Sequence, residues 1–215
     1  MATMLAFVAT DAQVEQPVLQ QLLSGVTDET FNAITVDGDT STNDSLVLAA
    51  TGASGVVIGA AELGIFREAL RGVCAFLAQA IIRDGEGATK FISIHVHEAR
   101  DEAEARKVGQ TVALSPLVKT AMFASDPNWG RILAAIGRSP VDDLDVARIA
   151  IRLGDTLLIE GGEPAASYRE ALGQQEMKKA EIDVHVRLGR GEASATIWTC
   201  DFSYEYVRIN AEYRS

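Results

Sequence analysis

A chain of 215 residues, 47% hydrophobic and 23% charged, can bury one sizeable core or at most two small domains, and its balance is that of a folded protein. Its formal charge of −11 opposes a nucleic-acid backbone or an anionic membrane surface, while small cationic or zwitterionic substrates are compatible with that field. No run of eighteen uncharged apolar residues is present, so no membrane span is expected. The start MATMLAFVATDA lacks the basic region of a signal peptide, which makes the cytoplasm the expected compartment.

The elements follow from periodicity. Thr3–Ala9 is a continuous apolar run of strand length, which predicts a buried strand. Helices are expected at Val14–Leu23 and around Thr27–Ala33. Thr35–Ser45, rich in turn formers and hydroxyls, empties into the apolar Leu46–Ala50. Glu62–Arg83 carries Leu63, Phe66, Leu70, Val73, Cys74, Leu77 and Ile81 at helical steps, and Gly85 is expected to supply a left-handed cap. Phe91–His97 alternates as a strand does, with Ile92, Ile94 and Val96 on one face.

Glu102–Ala113 is helical in pattern. Ser115-Pro116 reads as an N-cap followed by proline at the first helical position, and Asp126-Pro127 repeats that signal. The last third is strand-rich: Ala147–Leu153, Thr156–Glu160 and Ile182–Leu188, then a tight return at Gly189-Arg190-Gly191 into Ala193–Thr199, and a final strand at Tyr206–Ala211. Ser167–Ala180 is a helix candidate between them. The expected architecture is a mixed α/β layered fold closing in an antiparallel meander. The 215 residues are taken as one chain, with a subdivision at 1–140 and 141–215 in view.

Motifs exclude more chemistry than they offer. No Walker loop, GxGxxG fingerprint or GxSxG elbow is present. His95 and His97 share a strand face, but two histidines without a third ligand are a weak metal signal, so no metal is expected. Asp37–Asp44 fails as a calcium loop, because Thr42 and Leu48 stand where glycine and glutamate are needed. It reads equally as a self-capped surface turn or as the lining of a site. Cys74 and Cys200 read as buried thiols rather than a disulfide.

Two positions carry chemical potential of their own. Glu86, between Gly85 and Gly87, is open to a substrate ammonium or is a plain loop carboxylate. Thr3 precedes an apolar strand. If a cut after Ala2 made Thr3 the first residue, its α-amine, with a reference pKa of about 7.7–8.0, could act as general base for its own hydroxyl.

The segments MATMLAFVATDA, FNAITVDGDTSTNDS, DGEGATKF, SDPNWGRILAAIG and YVRINAEYRS, spread from end to end, resemble the β chain of the ornithine acetyltransferases, the glutamate N-acetyltransferases of arginine biosynthesis. The resemblance implies a precursor that cuts itself between Ala2 and Thr3, and an α chain that stays bound and carries the oxyanion hole. Thr3 is then the nucleophile and a substrate contact, with Glu86, Asn210 and Ser215 binding substrate. It further implies acetyl transfer from N-acetylornithine to glutamate without a cofactor, acetyl-CoA as donor in some members, and an assembly of two α and two β chains. The implied fold is that of the self-processing aminopeptidases, which resembles the N-terminal-nucleophile hydrolases. One departure stands: Met1 and Ala2 precede Thr3, so either the chain begins upstream of the scissile bond or Met1 is an added initiator. The competing expectations are a hydrolase on the same scaffold and a non-catalytic subunit.

Overall fold

The computed structural model describes residues 4–213. Two units divide the chain: Gly38–Gln79 with the segment ending at Asn32, and Ala33–Asp37 with the segment from Ala80 onward.

In the first unit, strand β1 (Leu5–Thr10) runs parallel to β2 (Ser45–Ala50), with Phe7 opposite Val47. Helix α1 (Gln16–Glu29) connects them, with Pro17 in its first turn where no amide partner is lost. Helix α2 (Leu63–Arg83) follows, with its residues up to Gln79 in this unit and those from Ala80 in the second. Burial departs from expectation here. Leu5 and Phe7 are 60% and 72% exposed, so the first strand is not buried on both faces. A continuous apolar run asks for cover on two faces, and in this unit only the Ala6–Val8–Thr10 side is half-buried. On α2 the buried stripe runs through Leu70, Cys74, Ala78 and Ile82, which leaves Val73 and Ile81 exposed.

The second unit is a six-stranded mixed sheet in the order β6-β5-β4-β7-β3-β8. Its strands are β3 (Phe91–Ala99), β4 (Ala150–Leu153), β5 (Thr156–Glu160), the short β6 (Glu163–Pro164), β7 (Glu181–Arg187) and β8 (Ala193–Cys200). Helices α3 (Glu102–Ala113), α4 (Pro116–Phe123) and α5 (Trp129–Gly137) pack on one face. Alternation decides which face: Ile92, Ile94 and Val96 of β3 meet Val108 and Val112 of α3 and Ile132 and Ile136 of α5 in one core. Helix α6 (Glu170–Met177) adds Met177 to it. One end of the opposite face is closed by a smaller core of Ile82, Phe91 and Cys200, with Ile34, Val36 and Trp198 against it.

Asp101 and Ser115 cap α3 and α4 by accepting backbone amides. For α5 the cap is Asn128, whose side chain accepts from the Arg131 amide, and not Asp126. Residues 146–148 form a 3₁₀ turn, so β4 starts later than expected.

Three larger corrections concern topology and turns. The expected β7–β8 hairpin does not exist, because β3 lies between the two, parallel to β7 and antiparallel to β8. Gly189-Arg190-Gly191 instead crosses the end of β3, where the amides of Arg190 and Gly191 both donate to the Glu98 carbonyl. A Cβ on Gly191 would lie 2.5 Å from the Ala99 carbonyl oxygen, a crowding that only glycine avoids. The left-handed residue after α2 is Gly87, φ +68°, and not Gly85. The expected final strand is a helix, α7 (Tyr204–Glu212). Ser203 caps it and Arg208 pairs with Glu205 and Glu212 at helical spacing, signals that outweigh the alternation of Tyr206–Ala211.

Candidate functional site

After α2 the chain turns through residues 84–90 before entering β3. The turn lies against the start of α7: a Cβ on Gly87 would come within 2.6 Å of the Tyr206 nitrogen and 2.8 Å of Ser203 Oγ. Asp201, 1% exposed beyond the end of β8, holds the loop from below. One of its carboxylate oxygens accepts the amides of Thr89 and Lys90, each at 2.8 Å, and the other accepts the Thr89 hydroxyl at 2.6 Å. Ser203 Oγ donates to the Gly87 carbonyl at 2.5 Å while capping α7.

With loop and helix locked together, Asn210 on the next turn of α7 reaches Glu86. Its Nδ2 donates to Glu86 Oε2 at 2.7 Å and to the Tyr206 carbonyl at 2.9 Å. Both side chains are exposed. A carboxylate can accept several donors, so one amide leaves Glu86 capacity for an ammonium. Of the residues singled out in the sequence, Glu86 and Asn210 therefore stand together. Ala2, Thr3 and Ser215 lie outside the described residues.

A second layer supports this corner. Lys119 on α4 is 1% exposed, and its ammonium donates to Thr199 Oγ1 at 2.6 Å and to the Cys200 carbonyl. Burial pulls its pKa down to about 8, against the opposing pull of Cys200, Asp201 and Asp37. The ammonium lies 4.6 Å from the Phe202 ring centroid. Phe202 stacks on Tyr206 at 4.4 Å, and the Tyr206 hydroxyl donates to Asp37 Oδ2 at 2.9 Å. Lys90 donates to the carbonyls of Met122 and Met177 and to Ser125 Oγ, and its pKa too is lowered by burial.

Sequence reasoning missed Asp201, Ser203, Lys119 and Tyr206. A faint signal existed: Lys119 is the one charge within SPLVKTAMF, and Asp201 follows the apolar ATIWTC. No spacing rule ties residue 201 to residue 86.

Within the first unit, the far end of the polar run anchors the N-terminal strand, since Asp44 Oδ1 accepts the Met4 amide at 2.9 Å. On the second unit's sheet, β7 brings His185 beside His95 and His97. The three rings stack with centroids 4.6–6.2 Å apart. His97 Nε2 lies 3.2 Å from His185 Nδ1, and His95 contacts Thr196 and Asp183. Among the described residues no set of three or more His, Cys, Asp and Glu is arranged to hold a metal ion. No described helix is long and apolar enough to cross a membrane. Cys74 and Cys200 are free and buried.

Known proteins resemble this chain in sequence and in fold. The chain is 56% identical over 218 residues to the arginine biosynthesis bifunctional protein ArgJ of Methylococcus capsulatus, and 53% identical over 219 residues to that of Pseudomonas fluorescens. In both cases all of this chain is covered, but only 53% and 54% of the relative, so the chain spans about half the length of the curated relatives it matches. The crystal structure of the ArgJ protein of Bacillus halodurans superposes with a TM-score of 0.94 at 42% identity, covering 98% of this chain and 100% of that one. The layered α/β fold expected from the sequence is thus the fold observed. A model of the ArgJ family matches residues 1–215, and the chain belongs to that family.

Proposed function

We propose that this chain is the β chain of a self-cleaving glutamate N-acetyltransferase of arginine biosynthesis, acting in the cytoplasm. The observation that carries the reading is the contact of Glu86 with Asn210, two residues the family resemblance assigns to substrate and which lie 124 positions apart. Cleavage between Ala2 and Thr3 frees the Thr3 amine. That amine takes the proton as Thr3 Oγ attacks the acetyl carbon of N-acetylornithine. The C–N bond breaks, ornithine leaves with the proton, and an acetyl-threonine ester remains. The amine of glutamate then attacks the ester, Thr3 regains its proton, and N-acetylglutamate departs. Glu86, Asn210 and Ser215 bind substrate, and no cofactor enters; acetyl-CoA serves as an alternative donor in the members that use it.

The reading includes an α chain from the same precursor, supplying the oxyanion hole, in an assembly of two α and two β chains. Two facts support a partner. The chain spans about half of its relatives, and the two-stranded parallel sheet of the first unit exposes Leu5, Phe7 and Val47 on one face. Parallel strands are ordinarily covered on both sides.

The test is expression of the full precursor followed by N-terminal sequencing and transfer of labelled acetyl from N-acetylornithine. The small chain should begin TMLAFV, and the label should appear in N-acetylglutamate. Thr3→Ala should abolish both cleavage and transfer. An intact chain with full activity would refute the nucleophile, and free labelled acetate in place of N-acetylglutamate would make the enzyme a hydrolase.

A further inference from the structure

Glu86 and Asn210 are both exposed, and their meeting is not secured by their own burial. It is secured beneath them. Asp201 is buried, and among the described residues its carboxylate bonds to one loop: it accepts the Thr89 and Lys90 amides and the Thr89 hydroxyl. Ser203, two residues on, grips the Gly87 carbonyl with the same oxygen that caps α7. Gly87 leaves no room between loop and helix. The loop carrying Glu86 and the helix carrying Asn210 are therefore fixed by one short segment.

We propose that Asp201 and Ser203 are positioning residues for substrate binding: together they clamp the 84–90 loop to the start of α7 so that Glu86 and Asn210 present one preformed contact to the substrate. This rests on the reading of Glu86 as a substrate residue. Neither Asp201 nor Ser203 touches substrate; each acts through Glu86. Lys119 backs the clamp, since it bonds Thr199 and the Cys200 carbonyl immediately before Asp201.

The conservative variant makes a structural role and a positioning role separable. In Asp201→Asn the remaining carbonyl oxygen can still accept both amides, and the new NH₂ can donate to Thr89 Oγ1, whose hydroxyl turns away. Asp201→Ala removes every acceptor and leaves two amides unpaired.

The experiment uses the processed two-chain enzyme made from full-length precursor, with steady-state kinetics on N-acetylornithine. Asp201→Ala should raise KM by about tenfold or more with a smaller change in kcat, as loss of a charged hydrogen-bonding partner does. Asp201→Asn should return KM to within about threefold of the parent, as retained hydrogen bonds require. In a Glu86→Ala background, Asp201→Ala should add little to KM, because both changes act through one group. Full additivity, or an unchanged KM in Asp201→Ala, would overturn the proposal. If Glu86→Ala by itself leaves KM unchanged, the substrate reading of Glu86 fails, and the clamp with it. Should Asp201→Ala yield no folded enzyme, Ser203→Ala takes its place in both backgrounds, with a raised KM in the parent and non-additivity expected, and an unchanged KM decisive against the clamp.

Discussion

The side-chain amide of Asn210 donates to the Glu86 carboxylate at 2.7 Å, joining the turn after α2 to the last helix of the chain. Glu86→Gln keeps the shape and removes the charge. Binding of N-acetylornithine should weaken about tenfold or more, since charge-assisted contacts contribute more than neutral ones. Cleavage after Ala2 should proceed as before, because it involves no free substrate. Calorimetry on the processed variant decides the matter, and undiminished affinity would place the substrate elsewhere.

Lys119 is a cation held in a dry place. Its folded pKa of about 8 lies below its ordinary 10.5, so between those values the unfolded chain binds more protons than the folded one. Stability therefore rises with pH through that window, by about 3 kcal/mol from this group if the rest is constant. Lys119→Met should lack the rise. Denaturant titrations of both proteins at pH 7.5 and 9.5 give the comparison, and parallel pH dependence would show that the lysine is more solvated than its burial implies.

The histidine cluster predicts the opposite end of the scale. Burial first, then the neighbouring His95, lowers the pKa of His97 and of His185, with Glu98 and Asp183 respectively opposing the shift. Arg187 adds to the lowering at His97 and Arg152 at His185. A folded pKa below the unfolded value leaves stability intact above about 6.5 and removes it as pH falls below that point, where the unfolded chain protonates first. His185→Asn should lose less stability than the parent between pH 7.5 and 5. Equal losses would mean that the cluster stays hydrated.

Arg190 and Glu104 form a buried ion pair. Both side chains are 8% exposed, and Arg190 Nε lies 2.8 Å from Glu104 Oε1 without the geometry of a hydrogen bond. The guanidinium also donates to the carbonyls of Asp142 and Asp143, and Glu104 Oε2 accepts the Arg100 amide at 2.6 Å. Arg190→Met strands the carboxylate, and breaking such a pair costs roughly 3–5 kcal/mol. Urea denaturation of the second unit's sheet signal measures it. A loss below about 1 kcal/mol, the size of an exposed pair, would show that water reaches Glu104.

Local signals determined much of this protein. The helical steps of Glu102–Ala113, the Ser115-Pro116 start and the alternation of Phe91–His97 each encode an element within a few residues, because capping and amphipathicity act over one or two turns. The motifs that carry the family resemblance are likewise short and contiguous. Strand order was not local: Gly189-Arg190-Gly191 resembles a hairpin turn, yet β3 sits between the strands it links, since pairing partners are chosen by the packing of the whole sheet. The last helix was hidden because alternation and helical spacing coexist in Tyr206–Ala211, and the Ser203 cap with its flanking ion pairs tips the balance. The apolar run at β1 reported hydrophobicity but not cover, and exposure at Leu5 and Phe7 depends on what lies against that face. The candidate site divides the same way. Glu86 and Asn210 could each be named from their motifs, but that they meet at 2.7 Å was decided by the buried carboxylate of Asp201, whose three hydrogen bonds reach Thr89 and Lys90, more than a hundred residues away along the chain.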